Sequence, residues 1–77
     1  MRRTFSVRTG TDVGRAVAEI RTSRGMSQAD LADLTGLSAN YISKIESGRT
    51  SSILEHELRV LRRLGVKITI EDTNASD

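Results

Sequence analysis

Cysteine is absent from the 77-residue sequence, which excludes a disulfide framework and also a thiolate metal site or nucleophile. The chain has no Trp and only one Phe, one Tyr and one His, so neither an aromatic ligand cage nor a His-rich metal cluster is expected. No apolar run approaches the roughly 20 residues of a membrane span, and the arginine-bearing start lacks the apolar block of a secretory signal. We therefore expect no metal, no cofactor and no membrane contact, and we predict a cytoplasmic location.

Charged residues are unevenly distributed along the chain. Hydrophobic residues make up 36% of the sequence and charged residues 29%, a balance typical of a globular domain. The formal net charge is +2, yet residues 1–24 contain six Arg against two acids, whereas residues 51–77 contain four basic residues against five acids. The basic first part is compatible with a polyanionic partner, although solvated arginine side chains also explain it.

The length of the chain predicts oligomerisation. A domain of this size buries only about 60% of the surface that its unfolded chain exposes, and a single core below roughly 70–80 residues is marginal without reinforcement. Because disulfides are excluded and no metal is expected, association with a second copy is the remaining common way to stabilise so small a domain.

Helix one is predicted from about Asp12 to Arg24, because apolar residues recur there at the spacing of an amphipathic helix. The recurring positions are Val13, Ala16, Val17 and Ile20. Thr11 or Asp12 would cap the first turn, and Gly25 would end the helix. Gly14 costs about 1 kcal/mol relative to Ala inside a helix, so we expect a close packing contact at that position.

Two short helices joined by a glycine turn follow. Ser27 and Asp30 have the spacing of a capping box at the start of helix two, which Gly36 ends after barely two turns. Ser38 would cap helix three, and Gly48 would close it. A connection of this length with a glycine matches a helix-turn-helix, and an ordinary αα-hairpin is the alternative. Three apolar side chains of helix two are expected to face inward: Leu31, Ala32 and Leu34.

The outward side of helix three favours the helix-turn-helix over the hairpin. At about 100° per residue, Ile42 and Ile45 define the inward side. Ser38 lies beside them at the start of the helix. The opposite side carries short hydrogen-bonding groups and one long cation, namely Asn40, Ser43, Lys44 and Ser47, with Ala39 on one flank and Tyr41 on the other. A merely solvated side would hold more long charged residues for i,i+4 pairing. Amide, Lys and Ala side chains instead suit adenine, guanine and the thymine methyl, so our hypothesis is that helix three reads base edges.

Helix four is predicted from about Ser52 to Leu64, with Ser51 or Ser52 as its cap and Gly65 as its stop. Its apolar residues cover a broad face: Ile53, Leu54, Leu58, Val60, Leu61 and Leu64. This face is broader than is needed to cover the core formed by helices one to three. Part of it is therefore expected to contact another subunit.

Residues 66–71 alternate apolar and polar side chains and are rich in β-branched residues, which predicts a strand. A lone strand leaves its backbone groups unpaired. Residues 4–8 also alternate and could pair with this strand inside the chain. Alternatively, residues 66–71 of a second copy could pair with it antiparallel across a two-fold axis. Both pairings can coexist in a small intermolecular sheet. The predicted dimer interface comprises Leu61, Leu64, Val66, Ile68 and Ile70.

The segment MSQADLADLTGLSANYISKIESGRT, residues 26–50, resembles the phage-repressor and Cro type of helix-turn-helix domain. Gln28, the turn at Gly36, Ile42 and residues 45–50 stand in register with that pattern. Extended through LRRLGVKITIED, the chain looks most similar to the HipB-like branch, whose members carry a C-terminal strand after the last helix. The resemblance covers roughly residues 4–72.

The resemblance implies a fold and a set of residue roles. The fold is mainly α, a compact lambda-repressor-like domain of four to five helices whose C-terminal strand pairs across a dimer. The base-contacting residues would be Ser38, Ala39, Asn40, Ser43 and Lys44. The phosphate-contacting residues would be Gln28, Tyr41 and Arg49, together with Ser47 through the backbone near it. Arg21 and Glu46 would form an ion pair joining helix one to helix three, with two solvated surface charges as the alternative. Helix three departs from the glutamine-rich recognition helices of some relatives, so their operator preferences do not transfer.

Four segments are predicted. Residues 1–10 form an N-terminal arm that could hold a short strand, residues 11–65 the helix-turn-helix domain, residues 66–71 a dimerisation strand and residues 72–77 a disordered tail. Arg2 and Arg3 would either reach into a minor groove or serve as disordered solubilising residues.

Two function classes remain open for the sequence. HipB-like proteins are dimeric DNA-binding repressors, and some serve as antitoxins for a HipA-type kinase. The first class is a homodimeric repressor that acts on a pseudo-palindromic operator in double-stranded DNA. The second is an antitoxin that mainly binds and neutralises such a kinase. An enzyme is not expected, because each serine has a capping or helix-surface role and His56 stands among charged residues of an exposed helix.

Overall fold

The computed structural model describes residues 2–74. In chain order its elements are β1 Arg3–Val7, α1 Gly10–Ser23, α2 Gln28–Thr35, α3 Ala39–Glu46, α4 Ser52–Arg63 and β2 Ile68–Asp72. The mainly helical fold with a C-terminal strand is confirmed. Met1 and residues 75–77, which belong to the predicted arm and tail, lie outside the described residues. Across residues 2–74, none of the helices has the length and apolar character needed to cross a membrane.

Helix α1 begins earlier than the sequence predicts. Its N-cap is Thr9, and Asp12 acts from the third helical position, accepting hydrogen bonds from the backbone N–H of Arg8 at 2.8 Å and of Thr9 at 3.2 Å. These two backbone hydrogen bonds, that of Arg8 first, hold the pKa of the Asp12 carboxyl below its usual value. The predicted cap at Thr11 or Asp12 is therefore wrong, because a carboxylate that reaches back places the cap three residues before it.

The starts of α2 and α3 follow the local sequence signals. The Ser27 hydroxyl accepts from the Asp30 N–H at 2.9 Å while the Asp30 carboxylate accepts from the Ser27 N–H at 2.8 Å, which confirms the capping box. The Ser38 hydroxyl accepts from the Tyr41 N–H at 3.0 Å. Between the two helices Gly36 adopts a φ of 77°, a left-handed conformation that favours glycine. The turn thus sets the angle between α2 and α3.

One apolar residue from each of the first five elements is buried in the core. These residues are Val7, Ala16, Ala32, Ile42 and Leu58. At Gly14 a Cβ would collide with the backbone carbonyl of Ile45, so the predicted close packing contact exists and joins α1 to α3. Leu34 is 73% exposed, and its predicted inward position is wrong. Because α2 packs through Ala32, a residue two positions further along lies about 200° around the helix and points outward.

β1 and β2 pair antiparallel within the chain, with Phe5 opposite Ile70 and Val7 opposite Ile68. The strand β2 starts at Ile68 instead of residue 66 and includes Asp72, which the sequence analysis had assigned to the tail. The Asp72 side chain is 2% exposed and accepts a hydrogen bond from the Arg24 guanidinium at 2.7 Å. Asp72 belongs to the strand because its backbone pairs with that of Arg3, and the ion pair ties the end of β2 to the end of α1.

Half of the predicted N-terminal arm, Arg3–Val7, forms the strand β1. Arg3 lies in β1, and its guanidinium stands 5.1 Å from the centroid of the Phe5 ring. Arg2 lies 3.7 Å from the Glu71 carboxylate of β2. Arg3 is therefore neither an extended minor-groove arm residue nor a disordered one in this structure.

Candidate nucleic-acid interface

Helix α3 has a buried side and an exposed side. Ile42 is 2% exposed and Ile45 is half-buried. The five predicted base-contacting residues are all exposed: Ser38, Ala39, Asn40, Ser43 and Lys44. All five therefore lie on the accessible part of α3 and its N-cap, which we call the recognition surface.

Hydrogen bonds inside the chain decide which donors of this region are free. The Ser38 oxygen accepts the helix cap bond, so its hydroxyl hydrogen can still be donated to a base or phosphate. The Ser47 hydroxyl donates to the Lys44 carbonyl at 2.8 Å, and its backbone N–H donates to the Ser43 carbonyl at 3.0 Å. The Ser47 N–H is therefore already engaged and is not available for the predicted backbone contact with a phosphate, and the hydroxyl would have to rotate away from Lys44 to make a contact instead.

Arg21 and Glu46 meet through two hydrogen bonds. Arg21 Nε donates to Glu46 Oε2 at 2.7 Å, and Arg21 Nη2 donates to Glu46 Oε1 at 2.9 Å. The two side chains are only 14% and 8% exposed, so they are not solvated surface charges. Arg21 Nη1 also donates to the carbonyl of Met26 at 2.8 Å, just before α2. The guanidinium thereby connects α1, the α1–α2 loop and the end of α3.

The ion pair shifts the pKa of both partners. The hydrogen bond with Arg21 is the main cause that lowers the pKa of Glu46; burial acts in the opposite direction, and a hydrogen bond from Gln28 lowers it further. The same pairing with Glu46 raises the pKa of Arg21. Both charges are therefore favoured at neutral pH.

Gln28 has a structural contact that the sequence analysis did not foresee. Its side-chain amide nitrogen donates to Glu46 Oε1 at 3.0 Å, and the residue is half-buried. An amide nitrogen carries two hydrogens, so one remains for the predicted phosphate contact. The sequence signal that could have revealed this contact is the acceptor capacity of Glu46, since a carboxylate oxygen can accept more than one bond.

Tyr41 and Arg49 line a common cleft of about 280 Å³ beside α3. Both residues are exposed, and the cleft also borders Thr50 and Ser51 at the start of α4. The Ser51 hydroxyl accepts from the Leu54 N–H at 3.1 Å and caps that helix. A helix start carries partial positive charge, which suits an anion. Thr50 and Ser51 thus lie in the same cleft as two of the residues predicted for phosphate contact.

The predicted dimer residues differ in exposure. Leu64 is 70% exposed, Val66 49% and Leu61 38%, whereas Ile68 and Ile70 are half-buried on the inner side of the two-stranded sheet. In the part of the chain that the structure describes, each strand pairs with the other only, so β2 keeps one free edge.

Comparisons with known proteins agree with this geometry. Residues 17–70 match the helix-turn-helix family. A protein of Sinorhizobium fredii named as an uncharacterized HTH-type transcriptional regulator, y4mF, is 30% identical over 64 residues, which cover 83% of this chain and 84% of that protein. No solved structure matches the chain significantly. The chain belongs to the helix-turn-helix family of DNA-binding transcription regulators, of the phage-repressor and Cro type.

Proposed function

We propose that the protein is a sequence-specific repressor that binds a pseudo-palindromic operator in double-stranded DNA as a homodimer. The observation that carries the proposal is the division of α3, in which Ile42 is buried while the recognition surface is exposed. A helix-turn-helix places its second helix in the major groove, with the residues near its start on the base edges. The exposed residues Ala39 and Asn40 stand at that start.

Base reading is assigned from the donor and acceptor groups of the recognition surface. The Asn40 amide suits N6 and N7 of adenine, and the Lys44 ammonium suits O6 and N7 of guanine. Ala39 suits the thymine methyl, and the Ser38 and Ser43 hydroxyls suit either donors or acceptors. Each well-placed bidentate pair discriminates by about 1–3 kcal/mol, so Asn40 is expected to contribute more to sequence preference than the hydroxyls.

Phosphate contacts would fix the register of the helix in the groove. Tyr41 and Arg49 flank the cleft beside the start of α4, and Gln28 keeps one amide hydrogen available at the start of α2. Ser47 would join them once its hydroxyl has rotated. Along the chain Gln28 precedes the recognition surface, and Ser47 and Arg49 follow it.

The homodimer is supported by the exposed apolar residues Leu61, Leu64 and Val66 and by the free edge of β2. A two-fold axis would present two copies of α3 to two half-sites, which accounts for a pseudo-palindromic operator. The C-terminal strand after α4 is the feature that supports placing the chain in the HipB-like branch. A regulator of this kind would act in the cytoplasm as a binding protein and not as an enzyme.

A second candidate function is that of an antitoxin that binds a HipA-type kinase. It is favoured by one observation: apolar residues of α4 are exposed on a different helix from the recognition surface, so a protein and DNA could bind together. A HipA-type reading frame beside the gene, or a kinase that copurifies with the chain, would support this candidate. If neither is found, the protein acts as a stand-alone regulator.

Selection of bound duplexes from random DNA tests the main proposal. We expect enrichment of a pseudo-palindromic site that binds two chains, and repression of a reporter gene that carries this site. A double variant with Asn40→Ala and Lys44→Ala is the matched control, which should fold normally but enrich no site. Failure of the wild-type chain to enrich any sequence would overturn the proposal, and activation of the reporter would overturn the repressor assignment.

A further inference from the structure

A cleft with cationic lining residues lies where the end of β1, the end of α4 and the start of β2 meet. Its volume is about 340 Å³, and three cationic residues line it: Arg8, Arg62 and Lys67. The rest of its lining is uncharged: Ser6, Val7, Gly65, Val66 and Ile68. We call this site the basic cleft. Its cations come from three separate segments of the chain, so the fold brings them together.

Arg62 lies at the centre of the basic cleft. The residue is half-buried, and its Nη1 donates a hydrogen bond to the backbone carbonyl of Arg8. Most of the N–H donors of its guanidinium remain available for a further partner. A charge that is partly removed from water is normally paired with an opposite charge. Within residues 2–74, however, Arg62 forms no ion pair, so its charge is left for an anion from outside the chain.

The surroundings of the basic cleft do not neutralise its charge. Among the described residues, neither Arg8 nor Lys67 has an acid at ion-pair distance, and residues 58–70 contain four cations and no acid. Asp12 interacts electrostatically with Arg8, but its carboxylate accepts the backbone N–H groups of Arg8 and Thr9 and does not line the cleft. The basic cleft therefore has an excess of positive charge.

The dipole of α4 explains only part of this arrangement. Arg62 stands in the last turn of the helix, where a cation interacts favourably with the C-terminal end of the dipole. Arg8 and Lys67 lie outside α4 and still line the same cleft. Bringing like charges together costs free energy, and a bound anion offsets that cost.

We propose that the basic cleft binds a small molecule through a diphosphate group, which Arg8, Arg62 and Lys67 hold. Arginine suits phosphate because its planar fork can donate two parallel hydrogen bonds, and lysine adds a point charge. A volume of about 340 Å³ lies at the lower end of the range for small-ligand pockets. The site goes beyond the proposed function and is separate from the proposed DNA contacts. Arg62 lies about 16 Å along the axis of α4 from Ser51, which lines the other cleft.

Calorimetric titration with inorganic pyrophosphate, without divalent metal ions, tests the proposal. We expect saturable binding of one pyrophosphate per chain with a dissociation constant below about 1 mM at low salt. Lys67→Gln should fold, because Lys67 is exposed, and its dissociation constant should rise about 10-fold through loss of a charged contact. Arg62→Gln should show the same rise once circular dichroism has verified its fold. No saturable binding to the wild-type chain would overturn the proposal.

Charge-matched variants and amide chemical shifts locate the bound anion. Arg15→Gln, at an exposed position of α1 outside the cleft, is the control and should leave the dissociation constant unchanged. The largest amide shifts on addition of pyrophosphate should fall in residues 6–8 and 65–68. If Arg49→Gln abolishes binding while Lys67→Gln does not, pyrophosphate occupies the cleft at the start of α4 and the inference fails.

A nucleoside diphosphate distinguishes two sources of the diphosphate group. Tighter binding of ADP than of pyrophosphate, with additional amide shifts beside the basic cleft, would support a ligand that carries the group on a nucleoside. Equal affinities would support recognition of the diphosphate alone. ADP that shifts only amides outside the basic cleft would overturn the proposal.

Duplex DNA is the competing occupant of the basic cleft, and the salt dependence of DNA binding separates the two. Lys67→Gln should keep the wild-type slope of log K against log salt concentration on the selected operator, because Lys67 is not assigned to a DNA phosphate. A slope less steep by about 0.9 for each lost phosphate contact would assign the cleft to the DNA backbone and overturn the proposal. Absence of pyrophosphate binding together with normal operator binding would refute the basic cleft as a ligand site and leave the proposed function intact.

Discussion

Arg21 and Glu46, 25 residues apart in the chain, are joined by two hydrogen bonds of 2.7 and 2.9 Å in a nearly solvent-free position. Glu46 is the last residue of α3, so the pair fixes the end of the recognition helix against α1. Gln28 adds a third bond to the same carboxylate from the start of α2. The carboxylate of Glu46 thus ties the end of α3 both to α1 and to the start of α2.

Replacement of Glu46 by Ala should destabilise the fold. Arg21 and Gln28 would lose their acceptor while remaining largely buried, and an uncompensated charge in such a position is unfavourable. We expect the melting temperature to fall by roughly 5–10 °C in thermal unfolding followed by circular dichroism. Glu19→Ala, at an exposed position of α1, is the control and should change the melting temperature little. Equal melting temperatures for both variants would contradict the structural role of the pair.

Acidification should remove the contribution of the Arg21–Glu46 ion pair to the stability of the fold. The pKa of Glu46 is lowered in the folded chain, chiefly by the hydrogen bond with Arg21, so its contribution to stability is fully present above the unfolded value of about 4.3. It is lost as the pH falls from that value through the lower folded pKa. The pKa values of Asp12 and Asp30 are also lowered by backbone N–H bonds and act in the same direction.

Urea unfolding at several pH values measures this dependence. Titration of Glu46, Asp12 and Asp30 should leave the wild-type free energy of unfolding nearly constant between pH 5 and 7. It should lower that free energy below about pH 4. Glu46→Gln should be less stable at pH 7 and should lose less stability on acidification, because its side chain cannot titrate. If the free energy of unfolding falls equally steeply with pH below pH 4 in the wild-type and Glu46→Gln chains, titration of Glu46 does not cause the acid destabilisation.

Gly14→Ala should destabilise the protein although alanine is the better helix former. In an open helix the exchange would stabilise by about 1 kcal/mol. Here the new Cβ would meet the backbone carbonyl of Ile45, which cannot move without shifting α3. We expect a loss of about 2–3 kcal/mol in the free energy of unfolding measured with urea. Arg15→Ala, at the next position and exposed, is the control and should change the free energy of unfolding by no more than about 0.5 kcal/mol. A stabilised Gly14→Ala chain would show that α1 and α3 are not in tight contact.

Local signals allowed most of the helical fold to be predicted. The capping box at Ser27 and Asp30, the cap at Ser38 and the glycine at Gly36 each act within four residues, so their chemistry can be read from spacing alone. The close contact at Gly14 could also be inferred, because a glycine inside an apolar helix pattern needs a packing reason. The exposed residues of α3 follow from the helical period once its inward isoleucines are identified.

Features that depend on distant parts of the chain could not be predicted in the same way. The register of β1 on β2 and the ion pair from Arg24 to Asp72 join residues 48 positions apart or more. The bond from the Gly10 N–H to the Glu55 carboxylate, 2.6 Å long, joins the starts of α1 and α4 over 45 positions. Such contacts depend on how the elements dock, which no local pattern specifies. The outward position of Leu34 likewise depends on which side of α2 meets α3.

Asn40→Ala should alter sequence preference more than general affinity for DNA. The exposed amide is assigned to an adenine, and loss of a bidentate contact should cost about 1–3 kcal/mol on the selected operator. Binding to scrambled DNA should remain nearly unchanged, because phosphate contacts are retained. Fluorescence anisotropy at one fixed salt concentration on both duplexes measures the difference. Equal losses on operator and scrambled DNA would contradict the base-reading role of Asn40.

Arg49→Gln should weaken binding to all sequences alike and should reduce its salt dependence. Arg49 is exposed beside the cleft at the start of α4 and is assigned to a phosphate. Each neutralised phosphate contributes about −0.9 to the slope of log K against log salt concentration. The proposed dimer makes this contact once in each of two half-sites. Loss of both cations should therefore make the slope less steep by about 1.8. Titrations between 50 and 200 mM salt determine the slope for the wild-type chain, for Arg49→Gln and for the control Arg15→Gln on α1. The control should keep the wild-type slope, and an unchanged slope for Arg49→Gln would show that its guanidinium does not contact the backbone of DNA.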